Sequence, residues 1–407
     1  MTRCAIIVPY EAGREKRSLE NREAEAVGLA NAIGIELIYT KCINLREKRP
    51  STLFGKGTVE NLGDEMAGRN ISLTIIDGTL TPIQQRNLEK GFGTKVIDRT
   101  ALILEIFGER ARTKEGTLQV ELGSLNYQKS RLVRSWTHLE RQRGGAGFMG
   151  GPGETQIESD RRQINERIVK LKKQLDQVTR TRRLQRESRR KIPYPIVALV
   201  GYTNAGKSTL FNRLTNAEVL VEDQVFATLD PTMRLLELPS GLEVILSDTV
   251  GFISNLPTEL VAAFRATLEE VVEADLLLHI RDISDDDTEL QKKDVNAIIT
   301  DLLGEDEKPT LEVLNKIDAL PDHQQDGKGI SALTGHGVDE LLEQIDEMLQ
   351  DILGFSVREI SLSPADGKKR AWLHEHAEVI KEEVTENGSS LLKLRITKAN
   401  FARFQAM

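Results

Sequence analysis

Residues 196–208 restrict the fold of this chain more than any other stretch. They read Ile-Val-Ala-Leu-Val-Gly-Tyr-Thr-Asn-Ala-Gly-Lys-Ser, an apolar, β-branched run followed by the spacing Gly-x-x-x-x-Gly-Lys-Ser. The run predicts a buried strand, and Gly201 and Gly206 let the backbone bend so that successive amides point at a phosphate. Ser208 then begins a helix whose positive dipole end faces the same anion. The stretch therefore predicts a P-loop within an α/β domain.

Further motifs follow the P-loop in the order that is typical of a GTPase. Lys207 is expected to reach the β- and γ-phosphates, and Ser208 the Mg²⁺. Residues 244–247 predict a strand that ends in Asp248-Thr249-Val250-Gly251. Asp248 can hold Mg²⁺ through water, and the Gly251 amide can sense whether the γ-phosphate is present. These positions predict a phosphate and metal site at the strand ends.

The next motif predicts which base is bound. Residues 311–314 predict a strand that delivers Asn315-Lys316-Ile317-Asp318. The Asp318 carboxylate can accept hydrogen bonds from N1-H and the 2-amino group of guanine, whereas adenine offers neither donor and would leave a buried carboxylate unpaired. Asn315 would tie this loop to the P-loop, and the Lys316 stem would lie along the base. The amides of residues 329–333 can contact the guanine oxygen, so the sequence predicts a guanine-nucleotide site.

A central segment predicts a helical hairpin with a glycine-rich tip. Two heptad stripes indicate seams between helices, and they consist of Leu118, Leu122, Leu125, Leu132, Trp136 and Leu139, then Ile164, Ile168, Leu171, Leu175 and Val178. Residues 144–153 lie between the stripes, and six of these ten positions are glycine. Two seam-bearing helices joined by a short loop pack antiparallel. A flexible linker remains the alternative interpretation of the loop.

Basic residues surround this tip. Residues 160–191 hold thirteen Lys or Arg against four Asp or Glu, although the whole chain carries a net charge of −8. A basic stalk with a glycine-rich tip suits folded RNA, while a solvated helix face is the alternative. The residues expected to contact RNA are Arg141, Arg143, Phe148, Met149, Arg161 and Arg162.

The flanking segments predict two smaller α/β units. Alternating strand and helix patterns over residues 1–113 predict a parallel sheet, and Phe54-Gly55-Lys56-Gly57 is either a phosphate loop or a plain turn. Residues 351–407 predict an α+β appendage. The predicted domains are thus 1–113 (N-terminal α/β), 114–192 (antiparallel helical hairpin), 193–350 (P-loop GTPase) and 351–407 (C-terminal α+β).

Composition narrows the class of protein. The 407 residues are 39% hydrophobic, which suits several modest cores, and no stretch approaches the roughly 18 apolar residues of a membrane span. The first residues predict a strand and not a signal peptide, so we expect a cytoplasmic protein. Cys4 and Cys42 have no metal-ligand spacing, and we expect both to be reduced core residues.

The resemblance of this chain to a known family rests on the motifs above and on two further stretches, Phe226-Ala227-Thr228-Leu229-Asp230-Pro231-Thr232 and, over residues 151–162, Gly-Pro-Gly-Glu-Thr-Gln-Ile-Glu-Ser-Asp-Arg-Arg. The chain resembles the HflX family. The resemblance implies a GTPase, monomeric when free, that binds the large ribosomal subunit, reaches toward the peptidyl-transferase rRNA with its hairpin tip and splits stalled or idle ribosomes under stress. It also decides between Thr228 and Thr232, which both lie where a ligand to Mg²⁺ is expected, in favour of Thr228. ATP binding through the N-terminal domain is also linked to the family, but no Walker motif lies outside the GTPase segment.

The complete predicted site can now be stated. The expected ligands of Mg²⁺ are Ser208, Thr228 and Asp248, and the expected catalytic positions are Lys207, Thr228 and Gly251. The residues expected to contact GTP or GDP are Gly201, Tyr202, Thr203, Asn204, Ala205, Gly206, Lys207, Ser208, Thr209, Phe226, Ala227, Thr228, Leu229, Asp230, Asp248, Thr249, Val250, Gly251, Asn315, Lys316, Asp318, Ser331, Ala332 and Leu333.

Two positions bear on the rate of hydrolysis. Phe252 stands where Ras-like enzymes carry the glutamine that orients the attacking water, so we expect slow intrinsic turnover that a partner stimulates. Asn204 matches an asparagine that coordinates K⁺ in several related GTPases, and a plain bracing role in the loop is the other interpretation. Two further functions stay open, namely a Ras-type switch that binds a protein and a factor that assembles the large subunit.

Overall fold

The computed structural model describes residues 2–13, 17–142, 152–189, 194–215, 226, 232–254, 268–304, 306–321, 329–385 and 389–407. Side chains are described throughout except at 133–142, 152–157, 179, 181–189 and 269. In this part of the chain, three β-sheets of four, five and three strands follow one another along the sequence. We refer to them as the N-terminal, central and C-terminal sheets.

The N-terminal sheet is fully parallel and has the strand order β2-β1-β3-β4. Its strands are β1 (Arg3–Tyr10), β2 (Glu36–Asn44), β3 (Leu73–Ile76) and β4 (Lys95–Asp98). Its helices are α1 (Leu19–Asn31), α2 (Lys56–Gly68), α3 (Pro82–Phe92) and α4 (Arg99–Arg110). The parallel α/β fold predicted from the alternating pattern is confirmed.

Short polar side chains begin three of these helices, α1, α3 and α4. The Ser18 hydroxyl accepts a hydrogen bond from the Asn21 amide, and Thr81 and Gln84 form a reciprocal capping box at the start of α3. Such caps satisfy backbone amides that have no partner inside the helix. Asp98 ends β4 and also caps α4 by accepting from the Ala101 amide. The chain therefore turns from strand to helix without a loop at this point.

The helical hairpin consists of α5 (Lys114–Gln142) and α6 (Pro152–Arg189). Leu122, Leu125, Ile168 and Leu171 are buried between the helices, with Leu118, Ile164 and Leu175 beside them. The predicted seam is thereby confirmed over the first half of α5 and the middle of α6. The side chains of Trp136 and Leu139 lie outside the described residues, as do residues 143–151 of the tip.

The central sheet has the order β6-β7-β5-β8-β9, in which only β6 runs antiparallel to its neighbour. Its strands are β5 (Ile196–Gly201), β6 (Thr232–Glu237), β7 (Glu243–Asp248), β8 (Leu276–Asp282) and β9 (Thr310–Asn315). The helices around it are α7 (Lys207–Thr215), α8 (Glu269–Glu273), α9 (Thr288–Leu303) and α10 (Val338–Ile352). Because β5, β7, β8 and β9 are parallel, the loops that follow them meet at one edge of the sheet.

The C-terminal sheet is antiparallel, with the order β10-β12-β11. It contains β10 (Phe355–Leu362), α11 (Gly367–His376), β11 (Glu378–Val384), β12 (Ser390–Thr397) and α12 (Lys398–Gln405). Leu392, Leu394 and Ile396 alternate with exposed or half-buried residues along β12 and form its core. The predicted α+β appendage is confirmed, and α12 is an additional helix that Thr397 caps.

One hydrophobic core joins the N-terminal and central sheets. It contains Ile6 and Val8 of β1, Phe107 of α4, and Val200 and Phe252 from the region of the P-loop motif. Because apolar burial is roughly proportional to stabilisation, the two sheets stabilise each other. Within the described ranges, none of the helices has the length and apolar character required to cross a bilayer.

The two cysteines are unpaired thiols in neighbouring strands of the N-terminal sheet. Cys4 is fully buried, and burial raises the pKa of its thiol to about 12. Cys42 is only half-buried, so the prediction of a core residue was wrong for it. Burial and a hydrogen bond to Glu23 raise the pKa of the Cys42 thiol to about 11.

Candidate nucleotide-binding site

The candidate site lies at the carboxyl edge of the central sheet, where the loops after β5, β7 and β9 converge. The Thr203 amide donates to the Phe252 carbonyl at 2.7 Å, and the Phe252 amide donates to the Gly201 carbonyl at 3.1 Å. The P-loop is therefore attached by backbone hydrogen bonds to the segment after Asp248-Thr249-Val250-Gly251. The Asn315 side chain attaches the third loop to the same P-loop.

The bend of the P-loop depends on the absence of a side chain at Gly206. This residue has φ 92°, and a Cβ atom there would lie 2.2 Å from Nδ2 of Asn315. Asn204 also adopts a left-handed conformation, with φ 60°. Such backbone is costly for residues other than glycine and persists where the surroundings enforce it. The loop is thus held in the curved shape that a phosphate cradle requires.

Lys207 lies inside this cradle. Its Nζ donates to the carbonyls of Gly201 at 3.1 Å and Tyr202 at 2.8 Å. Burial lowers the pKa of Lys207 to about 8, against the attraction of Asp248. A phosphate in the cradle would bring negative charge to this ammonium group and favour its charged form.

The residues expected to hold Mg²⁺ are brought together in part. The Ser208 hydroxyl donates to Oδ2 of Asp248 at 2.7 Å, so these two ligand candidates share one position beside the cradle. Gly251 lies opposite them, where a Cβ atom would come within 2.9 Å of Thr203 and 3.1 Å of the Lys207 Nζ. Two hard oxygen donors and a close backbone fit the preferences of Mg²⁺. The third candidate, Thr228, lies outside the described residues.

The base-side loops are connected by Asn315. Its Nδ2 donates to the Ala205 carbonyl at 2.8 Å, and its Oδ1 accepts from the Ala332 amide at 2.9 Å. The sequence predicts that Asn315 ties its own loop to the P-loop, and the bond to Ala205 agrees with that prediction. The contact with the Ser331-Ala332-Leu333 loop is an additional link that the sequence does not predict. Lys316 is left-handed with φ 68°, and its Nζ pairs with Asp282 at 2.7 Å. Asp318 is exposed to solvent on the turn that follows.

The remaining predicted residues divide between described and undescribed positions. Thr209 lies in the first turn of α7, and Thr249 donates through Oγ1 to the Leu199 carbonyl at 2.5 Å. Phe226 is buried, with φ 59°, and its ring packs against Phe107 of α4 with the centroids 4.6 Å apart. The other residues that were predicted to contact the nucleotide in this segment lie outside the described residues, namely Ala227, Thr228, Leu229 and Asp230.

The expected RNA contacts are only partly described. Arg161 and Arg162 are exposed on α6. Arg141 lies in α5, but its side chain is not described, and Arg143, Phe148 and Met149 fall outside the described residues. Two other arginines of the basic stalk are engaged within the protein: Arg131 pairs with Asp98 at 3.3 Å and Arg167 with Glu121 at 2.5 Å.

The sequence analysis missed a polar seam between the two parallel sheets. Its centre is Glu25 of α1, which accepts hydrogen bonds from Arg99, from the Tyr202 hydroxyl at 3.0 Å and from the Ser254 hydroxyl at 3.1 Å. The Ser254 amide in turn donates to the Tyr202 hydroxyl at 2.7 Å. The seam therefore joins the N-terminal sheet to the P-loop and to the segment after Gly251.

Arg17, together with a second ion pair of Arg99, completes this seam. Arg17 donates to the Tyr202 hydroxyl at 2.9 Å and pairs with Asp294 at 2.5 Å. Arg99 pairs with Asp77 at 2.6 Å. Burial alone would lower the pKa of Arg99, but the carboxylates of Glu25 and Asp77 raise this pKa above its usual value. The pKa of the Tyr202 phenol is also raised, because the ring is buried and lies beside Glu25. No spacing rule marks these residues, because their partners are distant in the sequence.

Comparisons with known proteins agree with this arrangement. Four family models match the chain: "GTP-binding GTPase N-terminal" over residues 20–108, "GTP-binding GTPase Middle Region" over 110–189, "50S ribosome-binding GTPase" over 196–316 and "HflX C-terminal domain" over 319–405. Together they cover the hairpin and every strand of the three sheets except β1.

Several curated relatives carry the name GTPase HflX. The protein from Magnetococcus marinus is 51% identical, over 94% of this chain and 89% of its own length. The protein from Caldanaerobacter subterraneus is 45% identical over 95% of this chain and 90% of its own length. The protein from Escherichia coli is 41% identical over 98% of this chain and 95% of its own length.

Proposed function

The chain is a GTPase that belongs to the HflX family, and from this premise we propose that it binds the large ribosomal subunit and splits stalled or idle ribosomes under stress. The observation that carries the proposal is the junction of the P-loop, Asp248-Thr249-Val250-Gly251 and Asn315 at one sheet edge, in a chain whose hairpin carries exposed basic residues. The match of residues 196–316 to a 50S ribosome-binding GTPase model supports the choice of partner.

We assign the nucleotide to the loops at this edge. The amides of the P-loop and Lys207 would bind the phosphates, and Asp318 together with the Ser331-Ala332-Leu333 loop would bind guanine. Ser208, Asp248 and Thr228 would hold Mg²⁺. When bound, this ion neutralises charge on the phosphates. The curved loop at Gly206 and the pairing of Ser208 with Asp248 support these roles.

The chemistry of hydrolysis rests on few side chains. Lys207 would stabilise negative charge on the transferred phosphoryl group, and the Gly251 amide would bond to it. Phe252 is buried in the core shared by the two parallel sheets, and a phenyl ring cannot hydrogen-bond the attacking water. We therefore infer slow intrinsic turnover, with the missing alignment supplied by the ribosome.

Asn204 is our candidate for a ligand of K⁺. It is exposed on the P-loop and has a left-handed backbone conformation. A cation there would take the place of the arginine that some partners of GTPases supply. Hydrolysis rates in KCl and NaCl test this role, and equal rates would exclude it.

The hairpin is our candidate for the contact with rRNA. Arg161 and Arg162 are exposed on α6, and farther along the same helix Lys170, Lys172, Lys173 and Arg180 are exposed as well. Phosphate contacts of this kind supply affinity that falls steeply with salt. By contrast, Arg167 is paired with Glu121 across the hairpin and is better interpreted as a structural residue.

The first experiment measures steady-state GTP hydrolysis by the purified protein, alone and with large ribosomal subunits, with Lys207→Ala as the blank. We expect stimulation of about tenfold or more, since partner-supplied groups act on that scale. Tight GTP binding without stimulation would favour a Ras-type switch that binds a protein. Stimulation only by immature subunits would favour an assembly factor.

The second experiment tests the basic residues by charge reversal. The double variant Arg161→Glu/Arg162→Glu should bind large subunits more weakly, and the slope of log affinity against log salt should fall by about two. Lys90→Glu/Arg86→Glu on α3 is the matched control. Ribosome splitting, followed by light scattering with GTP present, should fail for the first variant alone. Unchanged binding would remove the hairpin from the proposed interface.

A further inference from the structure

Arg213, in the last turn of α7, contacts the loop that we assign to guanine. Its Nε donates to the Ala332 carbonyl at 2.6 Å, and its Nη2 donates to the Leu333 carbonyl. A basic residue in the last turn of a helix could donate hydrogen bonds to the last carbonyls of that helix. Here the guanidinium donates instead to two consecutive carbonyls of a loop that lies 119 positions later in the chain.

The loop approaches the guanidinium group closely at Gly335. Gly335 has φ 94°, and a Cβ atom there would lie 2.7 Å from Nη1 of Arg213. The Leu333 side chain is 69% exposed, so it does not anchor the loop by packing. Ile330 and Ala332 are buried in the core of the central sheet, so it is the exposed part of the loop after Ala332 that depends on hydrogen bonds to its backbone. The hydrogen bonds from Arg213 come from outside the loop.

The direction of the amides follows from peptide geometry. In a trans peptide the carbonyl and the amide hydrogen point in opposite directions. Because the Ala332 carbonyl points at Arg213, the Leu333 amide of the same peptide unit points away from it. The Ala332 amide faces Asn315, which also contacts the P-loop. Arg213 and Asn315 thus hold the loop from its carbonyl side and its amide side.

We propose that Arg213 is a positioning residue for guanine specificity: it orients the Ala332–Leu333 peptide so that the Leu333 amide can bond to the O6 oxygen of the base. The inference rests on the proposed assignment of the Ser331-Ala332-Leu333 loop to the base. α7 begins at Lys207, so the helix that follows the phosphate cradle also sets the edge of the base site.

The test compares Arg213→Met with Arg86→Met, an exposed arginine on α3 that is distant in sequence from the central sheet. Both proteins are assayed for hydrolysis of GTP and ITP, and for competition by 2-aminopurine riboside triphosphate, which lacks O6. Arg213→Met should raise KM for GTP and ITP equally, by about tenfold, the value of one good hydrogen bond. It should leave kcat within about twofold, because the phosphate cradle is unchanged.

The analogue without O6 gives the decisive comparison. Arg213→Met should not weaken its binding, while Arg213→Lys, which keeps one donor, should recover part of the affinity for GTP. An equal loss of affinity for GTP and for the 2-aminopurine nucleotide would overturn the role of Arg213. If the unaltered protein did not distinguish these two nucleotides, the assignment of the loop to the base would itself be wrong. Arg86→Met should match the unaltered protein throughout.

Discussion

The N-terminal sheet is parallel, and so is the central sheet apart from its edge strand β6, but the residues at the carboxyl ends of their parallel strands have opposite tasks. In the central sheet these ends carry glycine-rich backbone, with Gly206 curved around a space for phosphate. In the N-terminal sheet they lead to charged side chains, such as Asp77, that are paired with arginine. The same topology therefore provides a ligand site in one case and a contact between sheets in the other.

This difference follows from the chemistry of the residues that succeed each strand. Backbone amides at a helix start attract anions without adding a charged side chain, so the central edge stays open to a ligand. Carboxylates and guanidinium groups satisfy each other when they are buried together. An edge lined by such pairs has little left to offer a nucleotide phosphate.

The largest expected effect concerns the phosphate cradle of the central sheet. Lys207→Ala should reduce GTP hydrolysis by at least about 100-fold, since a donor placed at developing charge contributes on that scale. The matched variant is Lys56→Ala in Phe54-Gly55-Lys56-Gly57, whose side chain is 86% exposed. Steady-state phosphate release measures both. A comparable loss for Lys56→Ala would mean that the N-terminal edge also takes part in phosphate chemistry.

The next effect concerns the paired edge. Arg99→Met leaves the carboxylates of Asp77 and Glu25 buried without this partner, so the free energy of unfolding should fall by about 3 kcal/mol. Urea unfolding measures the change. The double variant Arg99→Met/Asp77→Asn should recover part of the loss, because it removes one of the stranded charges. A change below about 0.5 kcal/mol, the usual range for surface substitutions, would show that the seam is not energetically coupled.

The smallest expected effect is a pH dependence of stability that arises in the central sheet and not in the N-terminal sheet. His279 in β8 is 3% exposed, and burial lowers the pKa of its imidazole to about 4, although Glu312 opposes the shift. The unfolded chain, with an ordinary histidine, then binds a proton before the folded one does. The contribution of neutral His279 to stability is therefore fully present above about pH 6.5 and is lost as the pH falls toward 4. Between about pH 7 and about pH 5, the free energy of unfolding should fall by about 2 kcal/mol.

The variant His279→Leu should flatten this dependence, and urea unfolding at the two pH values measures it. His336→Gln, which removes an exposed histidine, is the control and should leave the slope unchanged. An unaltered slope in His279→Leu would assign the acid sensitivity to other groups. The N-terminal sheet contains no histidine, so we do not expect it to contribute to this particular loss.

Much of this architecture could be predicted from local patterns. The alternation over residues 1–113 predicts the parallel N-terminal sheet, and the motifs at Gly206, Asp248 and Asn315 predict the convergence of three loops, because both depend on neighbouring residues. The bond of Asn315 to Ala205 matches the predicted link to the P-loop, and its bond to Ala332 is an additional contact. These features are encoded by spacing that is visible in one short stretch at a time.

The remainder depends on pairs that no short stretch contains. Glu25 and Arg99 give no signal of their own, since charged residues on helices are usually solvated, and only the docking of one sheet on the other buries them. Arg213 is similar: it lies on an ordinary helix, and its role becomes visible only when the Ala332 and Leu333 carbonyls are beside it. Cys42 was expected in the core because its strand is apolar, but β2 is an edge strand and leaves it half-buried.

The seam also constrains how such a chain can change over generations. Glu25 and Ser254 are separated by 229 positions, yet their side chains share one hydrogen bond, and Arg99 contacts both. A substitution at one of these sites alters the fitness of substitutions at the others. A hybrid chain that takes its first hundred residues from one family member and its P-loop segment from another would keep this seam only where both parts supply matching partners.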